Sequence, residues 1–426
     1  MRLREKLDTV LVGVEGLTKL LWERLETGIV FNPLRKELRV DPYPFYRELR
    51  ERDPFHRSRP ADGWILARYD DIHAVLADKT FSSDERNLRR YPQLRARGAR
   101  AGIPDPYEED RMSMLRVDPP DHTRLRGLVS KAFTPRAVER MRPRVEEYTD
   151  QLLRPLAGRG QMELVRDFAA PLPINVIAEM LGVPVADRER FRHWSDEAVR
   201  TLGDGTLDDQ RRAFAAMTEL GEYIGAIADA RRTEPRDDLI SGLVAAEEAG
   251  DRLGEKELFA TCVLLLVAGN ETTTKLIGNS ITALLRNPAQ LEILREEPKR
   301  IPAAVEELLR YDAPVQLTSR MVTSDREFRG HSLQKGQQVV LVLAAGNRDP
   351  EQFERPEELD VLRDDVRHLA FSFGLHYCLG VQLAKMEAAI ALEGLVTRFP
   401  DLRFDGPIEW GDNTVLRGPR SLPLAF

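Results

Sequence analysis

The run Phe371-Ser372-Phe373-Gly374-Leu375-His376-Tyr377-Cys378-Leu379-Gly380 presents a single cysteine on a glycine-punctuated loop. A thiolate is the strongest anionic metal ligand among side chains, and Gly374 and Gly380 let the backbone approach a flat group where a Cβ would collide. Haem iron can be held by sulfur in this way. The residues Leu379 to Glu393 read as a helix, so Cys378 stands at a helix N-terminus, where amide donors and the macrodipole favour negative sulfur. Taken alone, a lone cysteine reads as a small buried apolar residue; the aromatic, glycine and basic neighbours move the reading to metal ligation.

A second run, Cys262-Val263-Leu264-Leu265-Leu266-Val267-Ala268-Gly269-Asn270-Glu271-Thr272-Thr273-Thr274, is apolar all round in its first half, as a helix through a protein interior must be. Ala268, Gly269 and Thr272 share one face by i,i+3 and i,i+4 spacing, and that face is small with one hydroxyl. A core helix whose threonines bond back to the preceding turn would look the same. Glu307 and Arg310 in Glu307-Leu308-Leu309-Arg310 meet at i,i+3, a pairing that contributes little on a surface and much when buried.

The 426 residues carry a net charge of −7, so no basic field attracts nucleic acid. With only two cysteines, Cys262 and Cys378, a disulfide scaffold is not expected, which suits a reducing cytoplasm. The N-terminal stretch to Val30 holds Val10, Leu11, Val12, Val14, Leu17, Leu20 and Leu21 in a helical pattern, interrupted by Glu15 and Lys19. It falls short of the roughly 20 apolar residues a bilayer core requires. Five basic and five acidic residues leave it near neutral, which speaks against a membrane-surface helix and leaves packing on its own or a partner's surface. Its role is open.

The elements that must position these residues are mostly helical. Thr134-Pro135 starts a helix by capping and by proline in the first turn, and helical patterns cover 187–202, 207–233, 255–285 and 301–311. Asp62-Gly63 signals a hairpin between Phe55 and Leu66, and Gln337 to Leu343 alternates as a strand. The expected fold is mainly α with small β-sheets, a single large domain over 41–426 behind an extension of 1–40.

The cysteine run resembles the haem-binding loop of the cytochrome P-450 superfamily, with Ser372 where a second glycine is most common, and the resemblance extends from about residue 40 to the end. It implies haem b (iron protoporphyrin IX) buried between a distal helix and the Cys378 loop. Cys378 becomes the iron ligand, Phe371 a ring beside the sulfur, and His376, with His122, Arg126 and Arg320, the propionate contacts. The second run resembles the family's oxygen-binding groove, so Ala268 and Gly269 would make room for dioxygen while Thr272 and Glu271 deliver protons. Glu307 and Arg310 resemble the family's buried Glu-x-x-Arg pair, with Arg363 as third member.

The implied activity is monooxygenation of an apolar small molecule, with a peroxide-driven peroxygenase and a haem-based sensor or binding protein as alternatives. By the same resemblance the pocket roof comes from 84–114, 190–225, 265–268, 315–318 and 413–416. One of Arg86, Arg89, Arg90, Arg95, Arg97 and Arg100 could anchor a substrate carboxylate. Too few residues follow Gly380 for a reductase, and no G-x-G-x-x-G follows a strand. Electrons are therefore expected from a ferredoxin or flavodoxin with its NAD(P)H-dependent reductase, docking near Arg124 and Lys131.

Overall fold

The computed structural model describes residues 16–32, 35–100, 102, 105, 113–199, 206–248 and 253–426; expectations that fall on 1–15 and on most of 101–112 lie outside them. The helices that matter for the site are α1 (16–27), α2 (Tyr43–Arg52), α3 (Tyr69–Ala77), α4 (Asp121–Ala132), α5 (Arg188–Val199), α6 (Leu207–Thr233), α7 (Glu255–Arg286), α8 (Ile301–Tyr311) and α9 (Val381–Arg398).

Their ends follow local chemistry. At the start of α6, Thr206 and Asp209 form a reciprocal cap in which each side chain accepts the other's backbone N–H, at 3.0 and 3.1 Å. The Thr134 hydroxyl accepts the Ala137 N–H at 3.1 Å, as Thr134-Pro135 predicts. The helix expected from Leu379 begins two residues later, because Gly380 serves as its N-cap.

A five-stranded sheet packs beside the helices. Its strands are β1 (Phe55–Ser58), β2 (Gly63–Leu66), β3 (Phe81–Ser82), β4 (Thr318–Val322) and β5 (Gln338–Leu341), in the order β1-β2-β5-β4-β3. The Asp62-Gly63 turn closes the expected hairpin, pairing Phe55 with Leu66 and Ser58 with Gly63. A side chain at Gly63 would put its Cβ 1.7 Å from the Gln338 carbonyl oxygen, so the close parallel β2-β5 pairing requires glycine there.

Helix α7 is the axle of the fold. At 1.5 Å per residue its 32 residues span roughly 48 Å, and from Leu258 to Leu284 most of it is buried. A polar side chain on such a helix must find a partner, and these become ties to neighbouring elements. The Asn270 amide donates to the Ser195 hydroxyl of α5 at 3.0 Å. Thr274 donates to the Ala169 carbonyl at 3.2 Å, and Asn279 to the carbonyls of Asp312 and Arg417 at 3.1 Å each.

The N-terminal stretch joins this body earlier than residue 40. Ile29 and Phe31 pack in one apolar cluster with Tyr43, Tyr46, Leu49, Ile65 and Val342, and the Glu23 carboxylate is fully buried. Among the described residues no helix is long and apolar enough to cross a membrane.

Candidate active site

The Cys378 loop is held by its own backbone. The Cys378 N–H donates to the Phe371 carbonyl at 3.0 Å, which closes the loop and places Phe371 beside the sulfur-bearing residue. Gly374 has a φ of +71°, and a Cβ there would lie 2.3 Å from the Leu76 carbonyl oxygen. Gly374 thereby lets the loop close on the end of α3. Gly380 does face open space. Ser372 sits at φ 63°, the left-handed region that glycine occupies more cheaply.

Cys378 is solvent-accessible, yet burial is the first cause raising its thiol pKa, opposed by the Gly380 N–H and Arg126. Both hold for a sulfur that protein surrounds at long range and that fronts an open space at short range. Cys262 has no such opening, and burial pushes its thiol up to about 12. It cannot replace Cys378 as a thiolate.

Four cationic or potentially cationic groups converge beside this loop. The His122 and His376 rings lie 4.4 Å apart between centroids, and Arg126 donates to the Tyr377 carbonyl at 2.6 Å. Arg320 is buried and donates to the Ser319 carbonyl at 2.8 Å. None of the four hydrogen-bonds a carboxylate among the described residues. Asp118, the acid that acts electrostatically on His122 and Arg320, accepts from the Ser82 hydroxyl and from the Ser83 N–H, the latter at 2.9 Å. Unpaired in this way, the groups disfavour one another's charged forms. Burial, then Arg320, His122 and Arg126 push His376 down to about 3, and burial pushes Arg320 down to about 10. Both ring nitrogens of His122 are buried without a partner.

Such a cluster costs free energy unless an anion fills it. A group bearing two carboxylates and needing one thiolate fits these orphaned donors.

The central turn of α7 supplies an opening. Ala268 is exposed although it lies in the middle of a mostly buried helix, and a Cβ at Gly269 would touch nothing within 4 Å. Leu264, Leu265 and Val267 of α7 and Phe371 and Leu379 of the loop are half-buried against one common core cluster. Thr272 donates its hydroxyl to the Ala268 carbonyl at 2.6 Å, the back-bond that any core threonine could make, which leaves its lone pairs free to accept. Glu271 is bound to Lys275 at 2.7 Å. The lysine is buried, and its stem lies where a Cβ on Gly418 would be, 2.7 Å from Lys275 Cβ and Cγ. The i,i+4 spacing of Glu271 and Lys275 was visible in the sequence; the glycine that makes room for the lysine, some 140 positions on, was not.

Glu307, Arg310 and Arg363 come together, the first two fully buried and Arg363 at the edge of the buried region. Arg310 is bidentate to Glu307 at 2.7 and 2.8 Å, and Arg363 reaches the same carboxylate at 3.1 Å. Arg310 also donates to the carbonyls of Asn347, Pro356 and Glu358 at 3.1, 2.7 and 2.9 Å, so the trio fastens α8 to the chain that leads into the Cys378 loop.

Other expectations change. Arg124 pairs with Glu257 in the first turn of α7. Together with Lys131 it lines a groove of about 700 Å³ with Pro119, Pro120, Thr123, Gly127 and Leu128. Four of the arginines considered as a carboxylate anchor are engaged within the protein: Arg86 by Asp84, Arg89 by Asp62, Arg90 by Gln338 and the Pro60 carbonyl, and Arg95 by Asp105. Arg97 and Arg100 are exposed.

The family model described as Cytochrome P-450 matches residues 206–400. Polyketide biosynthesis cytochrome P-450 PksS of Bacillus subtilis is 39% identical over 411 residues, covering 93% of this chain and 99% of its own. Cytochrome P-450 monooxygenase PikC of Streptomyces venezuelae is 41% identical over 403 residues, covering 92% and 93%. The solved structure of PksS superposes with a TM-score of 0.85 at 38% identity, covering 93% of this chain and 99% of that one.

Proposed function

The chain belongs to the cytochrome P-450 family and is a haem-binding monooxygenase of that family; from this premise we propose that it inserts one atom of dioxygen into an apolar organic substrate, with two electrons supplied by a separate protein. The balance is substrate C–H, dioxygen, two electrons and two protons giving substrate C–OH and water. When bound, haem b supplies the reductive activation of dioxygen and the transfer of oxygen.

The carrying observation is the cluster of His122, Arg126, Arg320 and His376, none hydrogen-bonded to a carboxylate among the described residues, beside an accessible Cys378. In this reading Cys378 holds the iron through sulfur, stabilised by the Gly380 N–H. Arg126 and Arg320 as cations, with His122 and His376 as ring donors, would hold the two propionates, whose charge would favour the protonated forms that burial and mutual repulsion disfavour. Phe371 shields the sulfur from water.

On the opposite side Ala268 and Gly269 leave space, and the half-buried Leu264, Leu265 and Val267 exclude water from it. For Thr272 to pass a proton inward its hydroxyl turns from the Ala268 carbonyl, donates its own proton to the pocket and takes another on its oxygen. Glu271, held by Lys275, replenishes it from the protein's outer side. Electrons arrive at the face of α4, where the groove of Arg124 and Lys131 offers a basic seat for an acidic ferredoxin or flavodoxin and its NAD(P)H-dependent reductase. Because Arg124 is shared with Glu257, docking competes with an internal pair, and the rate should fall with salt.

The test is spectroscopic first. The reduced, carbon monoxide-bound protein is expected to show the long-wavelength Soret band of a thiolate complex, and Cys378→Ser to lose it; retention in the variant overturns the ligand assignment. Product from a surrogate ferredoxin system with none from reduced nicotinamide nucleotide alone supports the separate electron donor. Product from hydrogen peroxide at a matching rate would favour the peroxygenase.

A further inference from the structure

Helix α1 is fastened to the catalytic body along one face and uncovered along the other. Glu23 does the fastening: its carboxylate accepts the Phe31 N–H at 2.9 Å, His56 Nε2 at 3.0 Å, the Ser58 hydroxyl at 3.0 Å and the Arg59 N–H at 2.9 Å. His56 is itself fully buried and bonds Asp53 through Nδ1 at 2.8 Å. The helix ends where Gly28, at φ 75°, returns its N–H to the Arg24 carbonyl. The orientation of α1 on the body is therefore set by four hydrogen bonds to one carboxylate.

On the far side stand Leu17, Leu21, Trp22 and Leu25, exposed by 63, 64, 54 and 77%. At 100° per residue they occupy an arc of about 140°, with Glu23 nearly opposite its centre. Thr18 completes the arc, so no charged side chain lies within it. Together the four expose on the order of 500 Å² of mostly apolar surface, at the upper end of what a monomer leaves in one patch.

We propose that this face binds the same face of a second copy of the chain, forming a two-fold dimer through paired α1 helices. Three observations select that occupant. Two uncharged arcs meet face to face without burying a charge, which a self-complementary two-fold interface requires. The paired faces bury at most about 1,000 Å², the threshold an interface must reach, which suits a dimer that forms in the micromolar range. Upstream of the described helix the sequence repeats the spacing, with Leu3, Val10 and Leu17 seven apart and Leu7, Val14 and Leu21 seven apart, the a/d pattern that seats one helix against another. A lipid surface is the poorer match, because the five basic and five acidic residues to Val30 cancel and an anionic headgroup layer rewards net positive charge.

Sedimentation velocity of the haem-loaded full chain across a micromolar concentration range tests this. The wild-type chain is expected to pass from monomer to dimer, and Leu21→Glu to weaken association at least tenfold while haem content and melting stay unchanged, since Leu21 touches solvent in the monomer. Mixing Leu21→Glu with Leu21→Lys chains should restore a mixed dimer through the charge pair. A wild-type chain that stays monomeric overturns the proposal. So does a dimer indifferent to Leu21→Glu, which would place the interface elsewhere. Monomeric chains that bind phosphatidylcholine–phosphatidylglycerol vesicles and lose that binding on Leu21→Glu would make lipid the occupant.

Discussion

Replacing Glu307 by alanine removes the acceptor of four hydrogen bonds: two from Arg310, one from Arg363 and one from the Asp360 N–H at 2.9 Å. Arg310 stays fully buried and loses its counter-ion, which for a broken buried pair costs about 3 to 5 kcal/mol. The three carbonyls that Arg310 also reaches soften the loss and place the expected cost near the lower bound. Glu307→Gln keeps one acceptor oxygen and the shape, and should cost roughly half as much. Arg363→Ala should cost least, about 1 kcal/mol, because Arg363 is partly exposed and its removal leaves the Glu307–Arg310 pair intact.

Urea unfolding of the haem-loaded protein, followed in one set of samples by tryptophan fluorescence and by the Soret band, reads the order Ala, Gln, Arg363→Ala. The two probes should lose signal together in the variants, since the trio fastens the chain entering the Cys378 loop. A cost below about 1 kcal/mol for Glu307→Ala, or an Arg363→Ala variant as unstable as Glu307→Ala, would refute the claim that a buried carboxylate organises this region.

Thr272→Ala should leave melting nearly unchanged, within about 0.5 kcal/mol, while diverting electrons from product to hydrogen peroxide; an unaltered ratio of product to electrons consumed removes Thr272 from proton delivery. Ser372→Gly exchanges left-handed strain of about 1 to 2 kcal/mol for a glycine entropy cost of about 0.5 to 1 kcal/mol, so denaturation should show a small net gain, and a loss contradicts the strain. For His56, burial opposes the charged form but hydrogen bonds to Asp53 and Glu23 outweigh it and raise its pKa from 6.5 to about 9. Its contribution is then whole below pH 6.5 and lost as pH rises to 9, about 3 kcal/mol across that window. Hydrogen-exchange protection factors over residues 23–31, taken against intrinsic rates at each pH, should fall over the same interval, and His56→Gln should abolish that fall.

The elements and the thiolate loop were legible in the sequence because they depend on neighbours along the chain. The periodicity of Leu207 to Thr233 and of Ile301 to Tyr311, the Asp62-Gly63 turn and the Thr134 cap are all set by residues within about one turn of each other. A distinctive spacing around Cys378 carried the family, and with it the fold.

What tertiary structure alone decided are contacts between residues far apart in sequence. Whether Glu307 is a surface charge or the hub of a buried trio depends on Arg363 and three distant carbonyls. Whether Arg124 is free for a partner depends on Glu257. The contact of Gly374 with Leu76 was not readable either, because what a missing Cβ would strike is visible only in the folded chain. The N-terminal segment shows the division most plainly. Its apolar spacing was readable, but a stripe in sequence does not say which face is covered, and only the burial of Glu23 against His56 and Ser58 turned Leu17, Leu21, Trp22 and Leu25 outward.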